Sequence, residues 1–163
     1  MSALINPYSL ADMNNKAPQP DGTKPYYDEE LGTWVAPFIM AAINTKNVHR
    51  TNFLNDYAYG DAFQYDEMMM TGPGEKGEAM AKHVANDKSL ASDKGPKPGE
   101  GPSKEERENG FYDVLFVGQA TNGDTLAVSV KGDKDPGYGS TCKMISESAL
   151  CLCQDVTLPG GFY

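Results

Sequence analysis

Residues 111–130 decide the fold, and they read FYDVLFVGQATNGDTLAVSV. Two runs rich in β-branched and aromatic residues lie on either side of the pair Asn122-Gly123. This pair is the strongest short-range hairpin signal, because a type I′ turn needs positive φ at both central residues. We therefore expect a β-hairpin at about 112–130 with a two-residue loop. Alternation along the strands directs four apolar side chains into the core: Val114, Phe116, Leu126 and Val128.

A glycine-marked turn follows the hairpin and opens an amphipathic helix. The turn ends in the sequence GYGST at 137–141, where glycines allow close backbone approach and Ser or Thr can cap a helix. A helix N-terminus exposed in this way would be a contact for an anion or a cofactor. Three cysteines fall within this helix at spacings that suit neither a metal site nor a disulfide. We expect them to be buried or half-buried free thiols: Cys142, Cys151 and Cys153.

Composition shifts divide the rest of the chain into an arm and a domain. Residues 1–33 are polar and proline-rich, which predicts an extended arm. Residues 34–163 are expected to form a single α+β domain, interrupted by a long loop rich in Gly and Pro at 88–110.

Periodicity and capping signals place the other elements of the domain. The pattern predicts a helix over 36–54, a short strand within 63–71 and a second helix over 75–86. The capping-box spacing that starts at Ser103 predicts one helical turn before Gly110. A hairpin, a third strand and several helices without a βαβ repeat indicate the α+β class, with a mixed or mainly antiparallel sheet and flanking helices.

Charge and composition exclude some classes of function. The chain has 163 residues, a formal net charge of −9 and a pI near 4.6, so a nucleic-acid partner is not expected. It contains no run of about 18 apolar residues, and its N-terminus lacks the features of a signal peptide. We therefore expect a soluble cytoplasmic protein without membrane association.

A polar run within the first predicted helix supplies candidate binding residues. Asparagine is a poor helix former, so a requirement other than helix propensity placed several of them together there. The arginine could hold a carboxylate or phosphate, and the histidine could exchange a proton near neutral pH. The alternative is that the arginine pairs with an acidic side chain and that the histidine lies on the surface. The candidates are Asn44, His49, Arg50 and Asn52.

Several segments, taken in order, resemble the C-terminal part of saccharopine dehydrogenase-like oxidoreductases, a group that includes the trans-acting enoyl reductases. The segments are PFIMAAINT (37–45), VHRTN (48–52), FQYDE (63–67), GFYD (110–113), VKGDKDPGYGSTCKM (130–144) and SESALCL (146–152). The resemblance implies a second domain that covers the nicotinamide, shapes the substrate pocket and makes a dimer contact. It would turn the four polar residues of the first helix toward substrate and put Tyr138, Ser140 and Thr141 near the cofactor.

The sequence departs from this family at the nucleotide site. The G-x-G-x-x-G/A turn of a Rossmann domain is absent from the 163 residues, so we expect no cofactor to bind this chain alone. The resemblance implies NADP or NAD for the full-length enzyme, a Rossmann-domain half in cis or in trans, and a homo-oligomer. Surfaces that this half would cover are expected to be exposed: the 34–43 segment and a helix face with Met144, Ile145, Ala149 and Leu152.

A second interpretation stays open. The chain could be a non-enzymatic accessory module that binds a protein partner or an acyl ligand through an adaptable apolar surface. That surface would use the methionines at 68–70 and the pair Tyr26-Tyr27.

Overall fold

The computed structural model describes residues 6–12, 14–15, 17–87, 99–155 and 157. These residues form an α+β structure with four helices and two small antiparallel sheets, in agreement with the expected class. The chain divides into two compact units, Met1–Lys94 and Gly95–Tyr163. The domain boundaries expected from sequence stay a prediction.

The N-terminal unit contains a three-stranded antiparallel sheet and two helices. Its elements are β1 (Tyr26–Asp28), β2 (Thr33–Pro37), α1 (Ala41–Leu54), β3 (Met68–Gly72) and α2 (Gly74–Asn86). The strand order is β1-β2-β3, so β2 is central. Val35 and Ala36 of β2 and Ala81 of α2 are buried and form the small core of this unit.

The helix expected over 36–54 begins at Ala41, and Thr33–Pro37 is a strand. The reason is long-range pairing: Val35 lies opposite Tyr26 on one side and Met70 on the other, and a central strand favours β-branched and aromatic residues. The expected exposure of 34–43 is therefore wrong at Val35 and Ala36, which are buried.

The second helix lies close to its expected bounds, but the preceding strand is shorter than expected. It covers Met68–Gly72, and residues 63–67 form a loop whose backbone binds side chains of the N-terminal arm. Gly77 lets α2 approach β3, since a Cβ there would lie 1.8 Å from the Gly72 carbonyl oxygen.

The C-terminal unit consists of a hairpin between two helices. Its elements are α3 (Lys104–Asn109), β4 (Tyr112–Gln119), β5 (Thr125–Gly132) and α4 (Gly139–Gln154). The capping box expected at Ser103 is present: its hydroxyl accepts from the Glu106 amide, and the Glu106 carboxylate accepts from the Ser103 amide. The hairpin is confirmed, with Tyr112 opposite Gly132 and Gln119 opposite Thr125.

The loop of the hairpin differs from the expected two-residue type I′ turn. The Gly123 amide donates to the Ala120 carbonyl at 2.9 Å, and the Ala120 amide donates to the Asp124 carbonyl at 2.8 Å. Gly123 has φ +92°, whereas Asn122 is not among the residues with positive φ. This geometry is a type I turn followed by a left-handed glycine, the usual three-residue solution. Asn122 instead orders the turn by accepting from the Asp124 amide.

The predicted burial of the hairpin is wrong. Its four expected core residues are 42 to 69% exposed: Val114, Phe116, Leu126 and Val128. Ser140 is the only buried residue among those described in this unit. Alternation specifies which side chains share a face, but only a second packed layer can bury that face.

Helix α4 is exposed along most of its length. Cys142, Cys151 and Cys153 are free and exposed, which contradicts their expected burial. The expected exposed face is confirmed, since Met144, Ile145 and Leu152 are each more than half exposed and Ala149 is exposed as well. Within the described part of the chain, the helices are too short or too polar to cross a lipid bilayer.

Candidate functional site

Helix α1 brings the four candidate polar residues together and directs them toward the N-terminal arm and the 57–67 segment. His49 and Asn52 are each only 3% exposed. Asn52 has a structural role in this helix, because its side chain holds the irregular backbone after α1 in place.

His49 is the centre of a hydrogen-bonded cluster. Its Nε2 lies 3.0 Å from Oε1 of Gln19, and its ring centroid lies 4.5 Å from that of Tyr8 and 5.9 Å from that of Phe63. The Gln19 nitrogen donates to the Tyr8 hydroxyl at 2.7 Å and to the Phe63 carbonyl at 3.0 Å, so Oε1 is the acceptor and we assign the proton to Nε2 of His49. Burial lowers the pKa of the imidazole.

Arg50 and Asn52 bind main-chain groups. The Arg50 guanidinium donates to the Leu10 carbonyl at 2.8 Å. Asn52 donates to the Gly60 carbonyl at 2.8 Å and accepts from the Tyr59 amide at 2.9 Å, which fixes the turn after α1. The expected surface position of His49 is wrong, since this residue is buried. The described hydrogen bond of Arg50 goes to a carbonyl and not to an acidic side chain. The roles of both residues toward substrate stay predictions.

Asn44 belongs to a second cluster, which sequence reasoning missed. It donates to Glu67 Oε2 at 2.8 Å, while Glu67 Oε1 accepts from the Tyr65 hydroxyl at 2.6 Å. Burial and then the adjacent Glu67 carboxylate raise the pKa of the Tyr65 phenol. Burial also raises the pKa of the neighbouring Asp66 carboxyl. These residues connect the start of α1 to the loop before β3.

The turn before α4 is closed by Asp135, which sequence reasoning also missed. Its carboxylate accepts from the amides of Gly137, Tyr138 and Gly139 at 3.0, 2.9 and 2.5 Å. The Tyr138 amide, with those of the two glycines, holds the pKa of this carboxyl below its usual range. The expectation of an anion contact at this helix start is wrong, because the amides already have an internal anion. The signal was an Asp before Pro-Gly, a common turn sequence.

The three residues proposed near a cofactor therefore differ in accessibility. Ser140 is buried and donates to the Lys134 carbonyl at 3.2 Å, and Thr141 donates to the Pro136 carbonyl at 3.3 Å. Tyr138 is half exposed, and its ring lies against Gly101.

An open cleft of about 840 Å³ lies between α4 and the base of the hairpin, within the size range of small-molecule sites. Gly132 allows the Tyr112 ring to lie close to the backbone at this cleft, since a Cβ at that position would lie 2.1 Å from the ring. Its charged side chains are of both signs, and Lys131 pairs with Asp113 at 2.7 Å. The lining residues are Tyr112, Lys131, Gly132, Asp133, Ser140, Lys143, Met144, Glu147 and Ser148.

The chain is similar in sequence to several known proteins that share one name. It is 34% identical over 93% of its length to a putative trans-acting enoyl reductase of Mycobacterium tuberculosis. It is 29% identical, over the same share, to trans-acting enoyl reductases of Mycobacterium ulcerans and Mycobacterium bovis. The chain spans 42% of the length of each of these relatives. No family model and no solved structure matches it. The chain is therefore similar to part of proteins that are named trans-acting enoyl reductases.

Proposed function

We propose that this chain is the substrate-binding and dimerisation half of a cytoplasmic, NAD(P)-dependent enoyl reductase of the saccharopine dehydrogenase-like group, inactive without its nucleotide-binding half. The observation that carries the proposal is the similarity to trans-acting enoyl reductases over 93% of the chain but only 42% of their length. An enoyl reductase delivers a hydride and a proton to a carbon–carbon double bond beside a carbonyl. The word "trans-acting" in the relatives' names further suggests that the substrate is presented by a partner protein.

The exposed hairpin supports this proposal. Residues directly opposite in an antiparallel pair share a face, so Val114, Phe116, Val128 and Val130 form one apolar face that includes two cross-strand pairs. Each of these side chains is between 42 and 49% exposed. An isolated two-stranded hairpin is marginally stable in water, so a further layer is needed to cover it. We assign that layer to the remainder of the enzyme.

The start of α4 does not fit the phosphates of a dinucleotide. A Rossmann site uses free amides at a glycine-rich helix start, and at the start of α4 those amides are bound by Asp135. The cofactor phosphates are therefore assigned to the other half. In the proposal, this chain contributes the wall of the acyl site. Tyr138, with Ser140 and Thr141 behind it, lies on the side facing the nicotinamide.

The proposed role of α1 is to shape the substrate wall through the arm. Asn44, His49, Arg50 and Asn52 bind other parts of the N-terminal unit, so they would act on substrate by fixing the arm and the 57–67 segment.

Reconstitution tests the proposal. When the tagged chain is purified from its own organism, a protein that contains a G-x-G-x-x-G turn should copurify with it. The two proteins together should reduce a 2-enoyl thioester and oxidise NADPH or NADH. Phe116→Glu should abolish pairing, whereas Thr125→Glu, at the polar end of the hairpin where Thr125 lies opposite Gln119, is the control. A chain that copurifies with no dinucleotide-binding protein, or a pair without reductase activity, would contradict the proposal.

Exposed apolar side chains in the first sheet favour a second candidate, the non-enzymatic module. Met69 and Met70 on the edge strand β3 are 41 and 51% exposed, and Tyr26 and Tyr27 on β1 are also exposed. Binding of a fluorescent acyl probe that is lost in Met70→Lys, without any reductase partner, would select this candidate.

A further inference from the structure

The N-terminal arm is fixed to α1 although its described part, 6–12, 14–15 and 17–21, contains no regular helix or strand. Tyr8 is 5% exposed, the most buried residue of this segment. Its hydroxyl donates to the Ala17 carbonyl at 3.1 Å and accepts from Gln19, which closes the arm into a loop. Such loops normally have few internal constraints, so the docking depends on a small number of side chains.

Gln19 makes the central contact of this docking. Its amide oxygen faces both the His49 ring and the Tyr65 amide, each at 3.0 Å, while its nitrogen binds Tyr8 and the Phe63 carbonyl. Two further bonds hold the arm: Arg50 to the Leu10 carbonyl and Asn15 to the Asp61 carbonyl at 3.1 Å. These contacts tie the described residues of the arm to both α1 and the 57–65 segment.

We propose that the arm residues 6–12, 14–15 and 17–19 form a releasable strap, which is docked while His49 is neutral and is released more readily as the pH falls from 7.5 to 5.5. In the docked form the imidazole lies beneath the rings of Tyr8 and Phe63, and within the described residues no carboxylate is bonded to it. An imidazolium there would be desolvated without a counter-charge, which is unfavourable. Release returns the ring to water, and it also uncovers Arg50.

The direction of the pH dependence follows from the linkage between protonation of His49 and release of the strap. Burial lowers the pKa of docked His49 from its ordinary value of 6.5, so the released form binds more protons at mildly acidic pH. Docking is therefore fully favourable above 6.5 and weakens as the pH falls below it. The equilibrium constant for release rises up to about tenfold between pH 7.5 and 5.5, the limit reached if the docked ring stays neutral.

Other titratable and charged groups lie near the strap. Tyr8 and Asp12 come from the arm, Tyr57 and Asp61 from the opposing segment, and Arg50 from α1. The Asp66 carboxyl also belongs to this segment: it follows Tyr65, whose amide binds Gln19, and burial raises its pKa. The pH dependence is therefore measured in Asp66→Asn as well, where it should persist because His49 is the group that titrates. This inference does not depend on the proposed enzyme activity.

Nuclear magnetic resonance of the full chain tests the proposal. We expect the docked population, followed through the backbone amides of Tyr8 and Tyr65, to fall with up to a tenfold change in the release constant. His49→Gln keeps a neutral donor and should abolish the pH dependence, whereas His83→Gln, on the exposed side of α2, should preserve it. Trp34 fluorescence, unchanged over the same range, separates release from unfolding.

A second measurement keeps the test independent of the folding of His49→Gln. In Gln19→Ala the strap is loosened at every pH, so the His49 ring should titrate at a higher pH than in the wild-type chain. A wild-type strap with no pH response, a response that survives in His49→Gln, or a His49 titration unchanged in Gln19→Ala would each overturn the proposal.

Discussion

The contact between α2 and β3 gives the sharpest stability prediction, for Gly77→Ala. The new Cβ would lie 1.8 Å from the Gly72 carbonyl oxygen and 2.5 Å from its carbon, whereas real Cβ atoms essentially never approach within 3.0 Å. Helix and strand must therefore separate by at least the difference, 1.2 Å. This separation opposes the Thr71 hydroxyl bonds to the carbonyls of Trp34 and Gly77 at 3.0 and 2.9 Å.

Two effects of opposite sign determine the change in the free energy of unfolding in Gly77→Ala. Alanine in a helix interior is favoured over glycine by about 1 kcal/mol, while overpacking a close contact costs about 1–3 kcal/mol or more. Because the neighbouring atoms are backbone and cannot rotate away, we expect the steric cost to win by about 1–2 kcal/mol. Urea unfolding followed by Trp34, the single tryptophan, should show a midpoint lower by roughly 1 M for an m-value of about 1.5 kcal/mol/M.

Ala85→Gly is the matched control, because it reverses the same change at an exposed site of α2. The loss of unfolding free energy in Ala85→Gly measures the difference in helix propensity between Ala and Gly alone. The steric cost is therefore the loss of unfolding free energy in Gly77→Ala plus that in Ala85→Gly. A Gly77→Ala chain as stable as the wild type, with a normal Ala85→Gly, would refute the close approach.

Three further predictions concern other parts of the chain. Gly123→Val should cost about 1 kcal/mol or more, because Gly123 has φ +92° and a β-branched residue resists that conformation; unchanged thermal unfolding would place the left-handed residue elsewhere. Asp135→Ala should lower the unfolding temperature near pH 7, and the difference from the wild type should shrink in acid, because the stabilisation by this carboxylate is present above the ordinary carboxyl pKa and is lost as the pH falls through its lowered pKa in the folded state; equal unfolding temperatures of the two chains near pH 7 would count against its role at the start of α4. Isothermal titration should detect no NADH or NADPH binding by the isolated chain, and a dissociation constant below roughly 100 µM, about 5.5 kcal/mol of binding free energy, would contradict the assignment of the cofactor to the other half.

Local signals explain the parts of the fold that the sequence predicted. The hairpin, the helix of 74–86 and the Ser103 capping box each depend on residues within a few positions of one another. The run around Trp34 has a helix-like pattern but forms a strand, because its strand partners, Tyr26–Asp28 and Met68–Gly72, lie elsewhere in the sequence. Periodicity alone does not separate a short buried strand from a helix.

The candidate site shows the same limit. The unusual asparagines of α1 are visible in the sequence, and the prediction that a special requirement placed them is consistent with their contacts. The partners of the polar side chains of α1 were not predictable from the sequence. His49, for example, contacts Gln19, which lies 30 residues away, and no local sequence pattern links the two. The exposure of the hairpin was not predictable for a different reason. Alternation predicts which side chains share a face, but nothing in these residues specifies the surface that covers that face.

If the hairpin and α4 need another protein surface, the isolated chain should self-associate and bind an apolar-surface dye in sedimentation velocity at micromolar concentration. The physical reason is that contiguous apolar patches beyond a few hundred Å² promote association. Val128→Glu, on the face that contains Phe116, should reduce both signals, and Thr125→Glu, at the polar end of the hairpin opposite Gln119, should leave them unchanged. A dye-silent monomer that melts cooperatively would contradict the claim and show these residues to be self-sufficient.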